Sequence, residues 1–362
     1  MKKILTYYLY NALVWVSIAP VGDFVRHLLL FVVRKEFLIM EFFLSSGRTL
    51  LVDTPLFGLP AWMSAASKVD IIALGVVAVF AILVLVARFV LPRCGAIAWV
   101  TAKETLLQPL FLILTLVGLF GLFIFPFLPY HTFGEDVKIV VSQGLTVVKL
   151  ACVFLAIWTA STSIADEIEG KTALMILAKP VGRQKFVFGK YLGVMIAVTA
   201  LFFILGVFFL NTVSYKLVYD ARESAKDLPT AIECLNYISG VVPGLFLAYF
   251  ETIVLTAISI AISTRLPLLP NLTICLTIYV LGHIVPMVVA SDTVANMPII
   301  GFFANLVCAF LPILDHFNME TAIAMNRSVD WTYVLNAGVY SLLFACVAMM
   351  LSLALFEDRD LA

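Results

Sequence analysis

The chain has 362 residues, of which 63% are hydrophobic and only 13% charged, and its mean hydropathy is +1.08. No soluble globular protein needs that much apolar surface, and the apolar residues come in continuous runs rather than alternating, so the sequence predicts an all-α, polytopic helical membrane protein and not a barrel. Basic and acidic residues balance at 23 each, which gives no reason to expect a nucleic-acid partner.

Met1-Lys2-Lys3 followed by apolar residues 4–19 has the form of a signal sequence, with Ser17-Ile18-Ala19 as a small-residue site. Pro20 suits cleavage poorly, so the segment reads as an uncleaved anchor, short enough to tilt or lie in the interface. Residues 23–46 mix Arg26, His27, Arg34, Lys35, Glu36 and Glu41 with apolar residues. That is the pattern of an interfacial amphipathic helix, or alternatively of a start placed too far upstream. Gly58-Leu59-Pro60 marks a loop. Residues 1–68 are thus assigned as an N-terminal anchor or interfacial segment, and residues 69–95 as an extra transmembrane helix. The apolar run of that helix is 70–91, and Arg88 and Arg93 place its end in the cytoplasm.

Residues 96–106 read as a short amphipathic helix with Trp99, Lys103 and Glu104, ending near Pro109. Spans are then expected at 109–128, 138–161, 186–210, 241–263, 268–290 and 331–355, each a long apolar run. Residues 211–240 are polar enough to be an outer loop with a little helix at 220–226. Residues 297–313 are apolar but short and interrupted by Pro298, Asn305 and Pro312, so they read as re-entrant or interfacial. The six cysteines are scattered through apolar runs without metal-ligand spacing and behave as small hydrophobes; a Cys234–Cys308 bridge is the minority alternative.

The densest charged passage, 162–193, lies between two spanning runs and must therefore sit in water at one membrane face. Lys171, Lys179, Arg183, Lys185 and Lys190 place it in the cytoplasm. Ser161, Thr162 and Ser163 are expected to cap a helix start, with Asp166, Glu167 and Glu169 in its first turns. Residues 173–177 form a short amphipathic piece that Pro180 stops, and Gly182 allows a turn. Lys185 and Lys190 are expected to snorkel to the headgroups. Gly170-Lys171-Thr172 mimics the end of a phosphate-binding loop, but Ala165 stands where that motif needs glycine and a membrane helix precedes it. Nucleotide binding is therefore not expected on this chain, nor is any cofactor or catalytic residue.

This passage resembles the cytoplasmic loop between the second and third helices of type 2 ABC exporter permeases. The acidic pair Asp166/Glu167, the step Gly170-Lys171-Thr172, the run Met175-Ile176-Leu177-Ala178-Lys179-Pro180, Arg183, and Gly189-Lys190-Tyr191-Leu192-Gly193 carry the likeness. Lys171 separates the glycine from the threonine, and Met-Ile-Leu replaces a leucine-rich run. The nearest branch looks like the multicopper-enzyme-maturation permeases. The resemblance implies a permease core at 96–362 made of an elbow helix, six transmembrane helices and a coupling loop at 162–185. It also implies docking of that loop on a separate ABC ATP-binding subunit, a homodimer or heterodimer of permeases, and a multi-pass place in the cytoplasmic cell membrane. Asp166, Glu167, Glu169, Gly170, Thr172, Lys179, Pro180, Arg183, Gly189, Lys190 and Gly193 are the expected coupling residues.

Lys149 and Glu251 are the notable ionisable groups inside spans, where charge is costly and usually faces the bundle interior. Counted from the expected outer ends they lie about 16 and about 15 Å deep, so they are expected either to pair or to line a path; separate contacts with water or carbonyls are the alternative. His283, beside Gly282 and before Pro286, reads more readily as a packing residue than as a ligand. His131 and His316 flank spans. The competing function is an ion-coupled secondary transporter working through Lys149, Glu251 and His283, which needs no ATPase.

Overall fold

The computed structural model describes residues 92–128, 130, 135–169, 182–224, 227–289, 301–302, 306, 308, 311–325, 327 and 329–357. Every regular element among them is helical. In chain order they are α1 (Pro92–Leu107), α2 (Pro109–Ile124, extended by a 3-10 turn, Phe125–Phe127), α3 (Asp136–Glu169), α4 (Arg183–Glu223), α5 (Ala231–Ser263) and α6 (Leu268–Val289). A second 3-10 turn (Leu314–Phe317), the short α7 (Glu320–Ala324) and α8 (Trp331–Glu357) complete the set. Among the described residues six helices are long and apolar enough to cross a membrane: Pro109–Phe127, Asp136–Ile164, Arg183–Glu223, Ile232–Ser263, Leu268–Val289 and Trp331–Phe356. They coincide with the six spans expected in the permease core. The segments expected at 1–68, the span at 70–91 and most of 297–313 lie outside the described residues.

The helices begin and end for local reasons. Pro109 opens α2 at the one position where a missing N–H costs nothing. Thr230 and Glu233 form a reciprocal capping box at the start of α5. Thr332 donates from its backbone and its hydroxyl to Asp330 just before α8, which holds that carboxyl below its usual range. Two expectations fail here. Ser161, Thr162 and Ser163 do not start a helix; they lie inside α3, which runs unbroken to Glu169. Their hydroxyls bond back one turn, to Ile157, Trp158 and Ala160 carbonyls, as such side chains can where no water competes. Residues 211–240 are not a loop either. α4 continues to Glu223 and α5 starts at Ala231, leaving only a short connection. At 1.5 Å per residue α4 is about 60 Å long, roughly twice the hydrocarbon thickness. The polar residues that suggested a loop, Thr212, Ser214 and Lys216, are buried against neighbouring helices instead.

α3 ends and α4 starts at one end of the bundle, here named the loop end, where α5 also finishes and α6 begins. α5 is the spine: it packs on α3, α4 and α8, and all residues from Glu251 to Ala261 are buried. α6 is the opposite case, with only 11% of its apolar window covered, and it leaves Leu269, Val280, Ile284 and Met287 exposed. Apolar burial gives little drive between helices in lipid, so close packing and hydrogen bonds must hold them. One such lock is Asn271 of α6, fully buried, whose amide donates to Ser161 Oγ (2.6 Å), Ser259 O (3.0 Å) and Ser259 Oγ (3.1 Å). It ties α3, α5 and α6 together near the loop end.

Candidate functional site

The loop-end residues divide into two groups. Asp166, Glu167 and Glu169 stand in the last turns of α3, which carries the helix beyond its apolar part. Gly170, Thr172, Lys179 and Pro180, with the amphipathic piece at 173–177, lie outside the described residues. Arg183 opens α4 and donates from Nη1 to the carbonyl of Phe356 at 3.4 Å, with its guanidinium 5.9 Å from the Phe356 ring centre. Phe186 stacks on the same ring at 5.8 Å. The start of α4 is thereby fastened to the end of α8, with an arginine serving a helix C-terminus. Lys185 is exposed, but Lys190 is not free to snorkel: it is buried, with its ammonium 5.9 Å from the Phe186 ring centre. α1 and the end of α8 cover that turn.

Gly189 and Gly193 have a steric role. A Cβ at Gly193 would lie 2.6 Å from Thr101 Cβ and 2.7 Å from the Ala98 carbonyl; one at Gly189 would lie 2.8 Å from Ile97 Cβ. Their spacing of four puts both on one face of α4, forming a small-residue seam into which α1 seats. α1 supplies the matching face, with Cys94, Ala98, Thr101 and Thr105 buried and Val100, Lys103 and Glu104 exposed. Within the described residues, then, α1, α4 and α8 meet in one joint at the foot of the α3–α4 hairpin.

The interior charges meet deeper in the bundle. Lys149 of α3 lies 3.9 Å from Glu251 of α5 and 2.5 Å from Glu320 of α7. His283 of α6 places Nε2 3.4 Å from Glu251 Oε1, within ion-pair reach but not aligned as a hydrogen bond. Thr146 donates to the second oxygen of Glu320 at 2.6 Å, and Tyr279 packs on His283 with ring centres 4.8 Å apart. Lys149 is 6% exposed and Glu251 fully buried. The structure thus brings together Lys149, Glu251 and His283, and the pair expected at similar depth is in contact.

Glu320 is the member that sequence reading missed. It arrives on residues 311–325, a segment that enters the bundle from the end opposite the loop. Leu314 fits against Gly282, where a Cβ would lie 2.8 Å from Leu314 Cγ. Ile313 N donates to Tyr340 Oη at 3.0 Å, Tyr333 Oη donates to the His316 carbonyl at 2.6 Å, and Phe317 joins the core. The available signal was an acid in a short stretch after a sub-spanning apolar run, together with a Lys149 in need of a partner.

A second ionic knot stands at the opposite end. Lys216 of α4 contacts Asp220 at 2.8 Å, Asp136 of α3 at 3.5 Å and the Pro126 carbonyl at 3.3 Å. Tyr130 and Tyr219 flank its ammonium. Burial, with Asp136 nearby, pushes the Tyr130 phenol above its usual range. Among the described residues no group of three or more His, Cys, Asp or Glu is placed to hold a metal ion, and the cysteines, Cys234 and Cys308 included, are unbridged thiols.

A family model described as ABC-2 family transporter protein matches residues 132–361. That is well over half of the chain, from just before α3 to just beyond α8. No curated protein matches the sequence.

Proposed function

The chain belongs to the ABC-2 family of transporters, and from that premise we propose that it is the membrane permease subunit of an ATP-driven transporter in the cytoplasmic membrane, with the ATPase on a separate subunit. The observation that carries this reading is the joint at the loop end. α3 runs past its apolar span to Glu169, and the start of α4 is fastened to α1 by the Gly189–Gly193 seam and to α8 by Arg183. A force applied to residues 162–185 would therefore reach four helices at once. Asp166, Glu167, Glu169, Gly170, Thr172, Lys179 and Pro180 supply the docking face. Arg183, Gly189, Lys190 and Gly193 transmit the movement. Two permeases, identical or related, complete the path. The multicopper-enzyme-maturation branch is the finer assignment that the loop sequence suggests.

The test is a photo-crosslinker placed at Glu167 in the native membrane. A covalent adduct with an ABC ATP-binding subunit, lost when residues 170–181 are replaced by a glycine-serine loop of equal length, supports the proposal. Labelling of the same site only by reagents confined to the outside would overturn it.

A second reading, an ion-coupled carrier, draws on the charged interior at Lys149, Glu251 and His283. It requires transport by the chain in vesicles without any ATPase or ATP; transport that depends on both excludes it.

A further inference from the structure

The charges gathered at Lys149 do not balance as they stand. Glu251 and Glu320 bring two carboxylates and Lys149 one ammonium, and an uncompensated buried charge is expensive. The imidazole beside them shows where compensation sits. His283 Nδ1 lies 2.9 Å from the Tyr279 carbonyl, which can only accept, so Nδ1 carries a hydrogen. In neutral imidazole Nε2 is then a bare lone pair. It faces Glu251 Oε1 at 3.4 Å, and neither Glu251 oxygen has an aligned hydrogen bond among the described residues. Two acceptors held this close repel each other. One proton between them converts the repulsion into an ion pair or a hydrogen bond and brings the cluster of Lys149, Glu251, Glu320 and His283 to neutrality.

We propose that His283 and Glu251 form a site for one exchangeable proton, bound when residues 311–325 dock Glu320 onto Lys149 and released when they leave. The charged groups around the imidazole are Glu251 from α5, Lys149 from α3, Glu320 from α7 and Asp315 from the 3-10 turn; Tyr279, on its own helix, is neutral. Both Glu320 and Asp315 ride on the docking segment. Its departure removes two negative charges and leaves Lys149 and Glu251 as a neutral pair, so the proton passes back to water. Only an N–H or O–H bond is made and broken. Docking that takes up one proton is favoured by acid and opposed by base. In the window between the proton affinities of the two states its equilibrium changes up to about tenfold per pH unit. The inference stands on the cluster alone and does not depend on an ATPase.

The test uses the full chain in lipid nanodiscs carrying Ala324→Cys, a position buried in the docked segment. Maleimide labelling at residue 324 is read by mass spectrometry across about pH 5.5–8.5, the range in which imidazole usually titrates. The same measurement in a Glu251→Gln background cancels the thiol's own pH dependence, because Lys149 and Glu320 there balance without a proton. The labelling ratio of the native background to Glu251→Gln should rise steeply with pH, and Glu320→Gln, where Lys149 and Glu251 already balance, should label without that dependence. A flat ratio overturns the proposal. If Glu251→Gln does not fold, His283→Gln decides: the proton must then sit on Glu251 alone, so the midpoint of the rise should move. An unmoved midpoint overturns the proposal.

Discussion

Replacing Lys149 with methionine should destabilise the bundle more than removing either of its carboxylate partners. In the native arrangement one ammonium serves Glu320 at 2.5 Å and Glu251 at 3.9 Å. Lys149→Met fills similar space but leaves Glu320 without its counter-ion, since the one proton at His283 and Glu251 cannot serve both carboxylates. Breaking a buried pair from one side costs about 3–5 kcal/mol. Glu320→Gln is milder, because the Lys149–Glu251 pair survives and the amide oxygen still accepts from Lys149; a loss of about 1–2 kcal/mol, the scale of one hydrogen bond, is expected. The triple variant Lys149→Met, Glu251→Gln, Glu320→Gln has no interior charge to compensate there, and it should recover most of what the single methionine loses. Reversible unfolding in lipid–detergent micelles, followed by circular dichroism, measures all three. The reasoning is refuted if Lys149→Met lies within about 1 kcal/mol of Glu320→Gln, or if the triple variant is no more stable than Lys149→Met.

Gly193→Ala should cost about 1–3 kcal/mol, because the Ala98 carbonyl and Thr101 Cβ that a new methyl meets belong to backbone and branched carbon that cannot swing away. Gly121→Ala, with nothing within 4 Å, should be neutral or stabilising by up to about 1 kcal/mol; the same unfolding assay compares them. Asn271→Ala removes the amide's three donated hydrogen bonds and the one its oxygen accepts from Cys275 and should lower stability by about 1–3 kcal/mol, measured in the same way. Lys216→Met leaves Asp136 and Asp220 without their shared cation, so the end opposite the loop should loosen. Limited proteolysis should then cut faster in the α4–α5 connection while cleavage near Gly182 is unchanged.

The six spans were legible because length and apolarity alone decide whether a helix can cross a bilayer. What misled was polarity read without its partners. Thr212, Ser214 and Lys216 resemble loop composition, yet they face neighbouring helices, and Lys216 is neutralised by an aspartate eighty residues earlier in the chain. Ser161 and Thr162 resemble a cap, yet a hydroxyl inside a membrane helix can bond the carbonyl four residues back and leave the helix intact. Similar depth left Lys149 and Glu251 to pair, to line a path or to find separate partners, and the structure has them 3.9 Å apart. Counted from the loop-side ends of their apolar spans, Ile164 and Ser263, they lie about 22 and about 18 Å in; counted from the outer ends they no longer match, because α5 starts ten residues earlier than expected. Asn271 carried no signal, since one amide in an apolar run gives no hint of its three partners. The Gly189–Gly193 spacing was read as a family mark, and its physical meaning, room for α1, needed the crossing helix.

The two ends of the bundle are closed by different chemistry, and the difference bears on which end opens. At the loop end α1, α4 and α8 meet through glycine contacts, stacked rings and a capped helix terminus. Contacts of that kind lose their dispersion energy when parted and gain nothing from water. Deeper in, and at the opposite end, the closures are Lys149 with two glutamates and Lys216 with two aspartates. A bundle that only had to stay shut would be at least as stable with well-packed apolar residues there. Charged contacts offer something apolar ones do not: when they separate into water, hydration offsets most of the lost attraction. For the ionic contacts of residues 311–325 the loss on parting is therefore partly offset, while Leu314 and Phe317 of the same segment hold by packing as the joint at the loop end does. A movement that begins at the loop end can travel through a joint that stays whole and be expressed where the closing contacts are ionic.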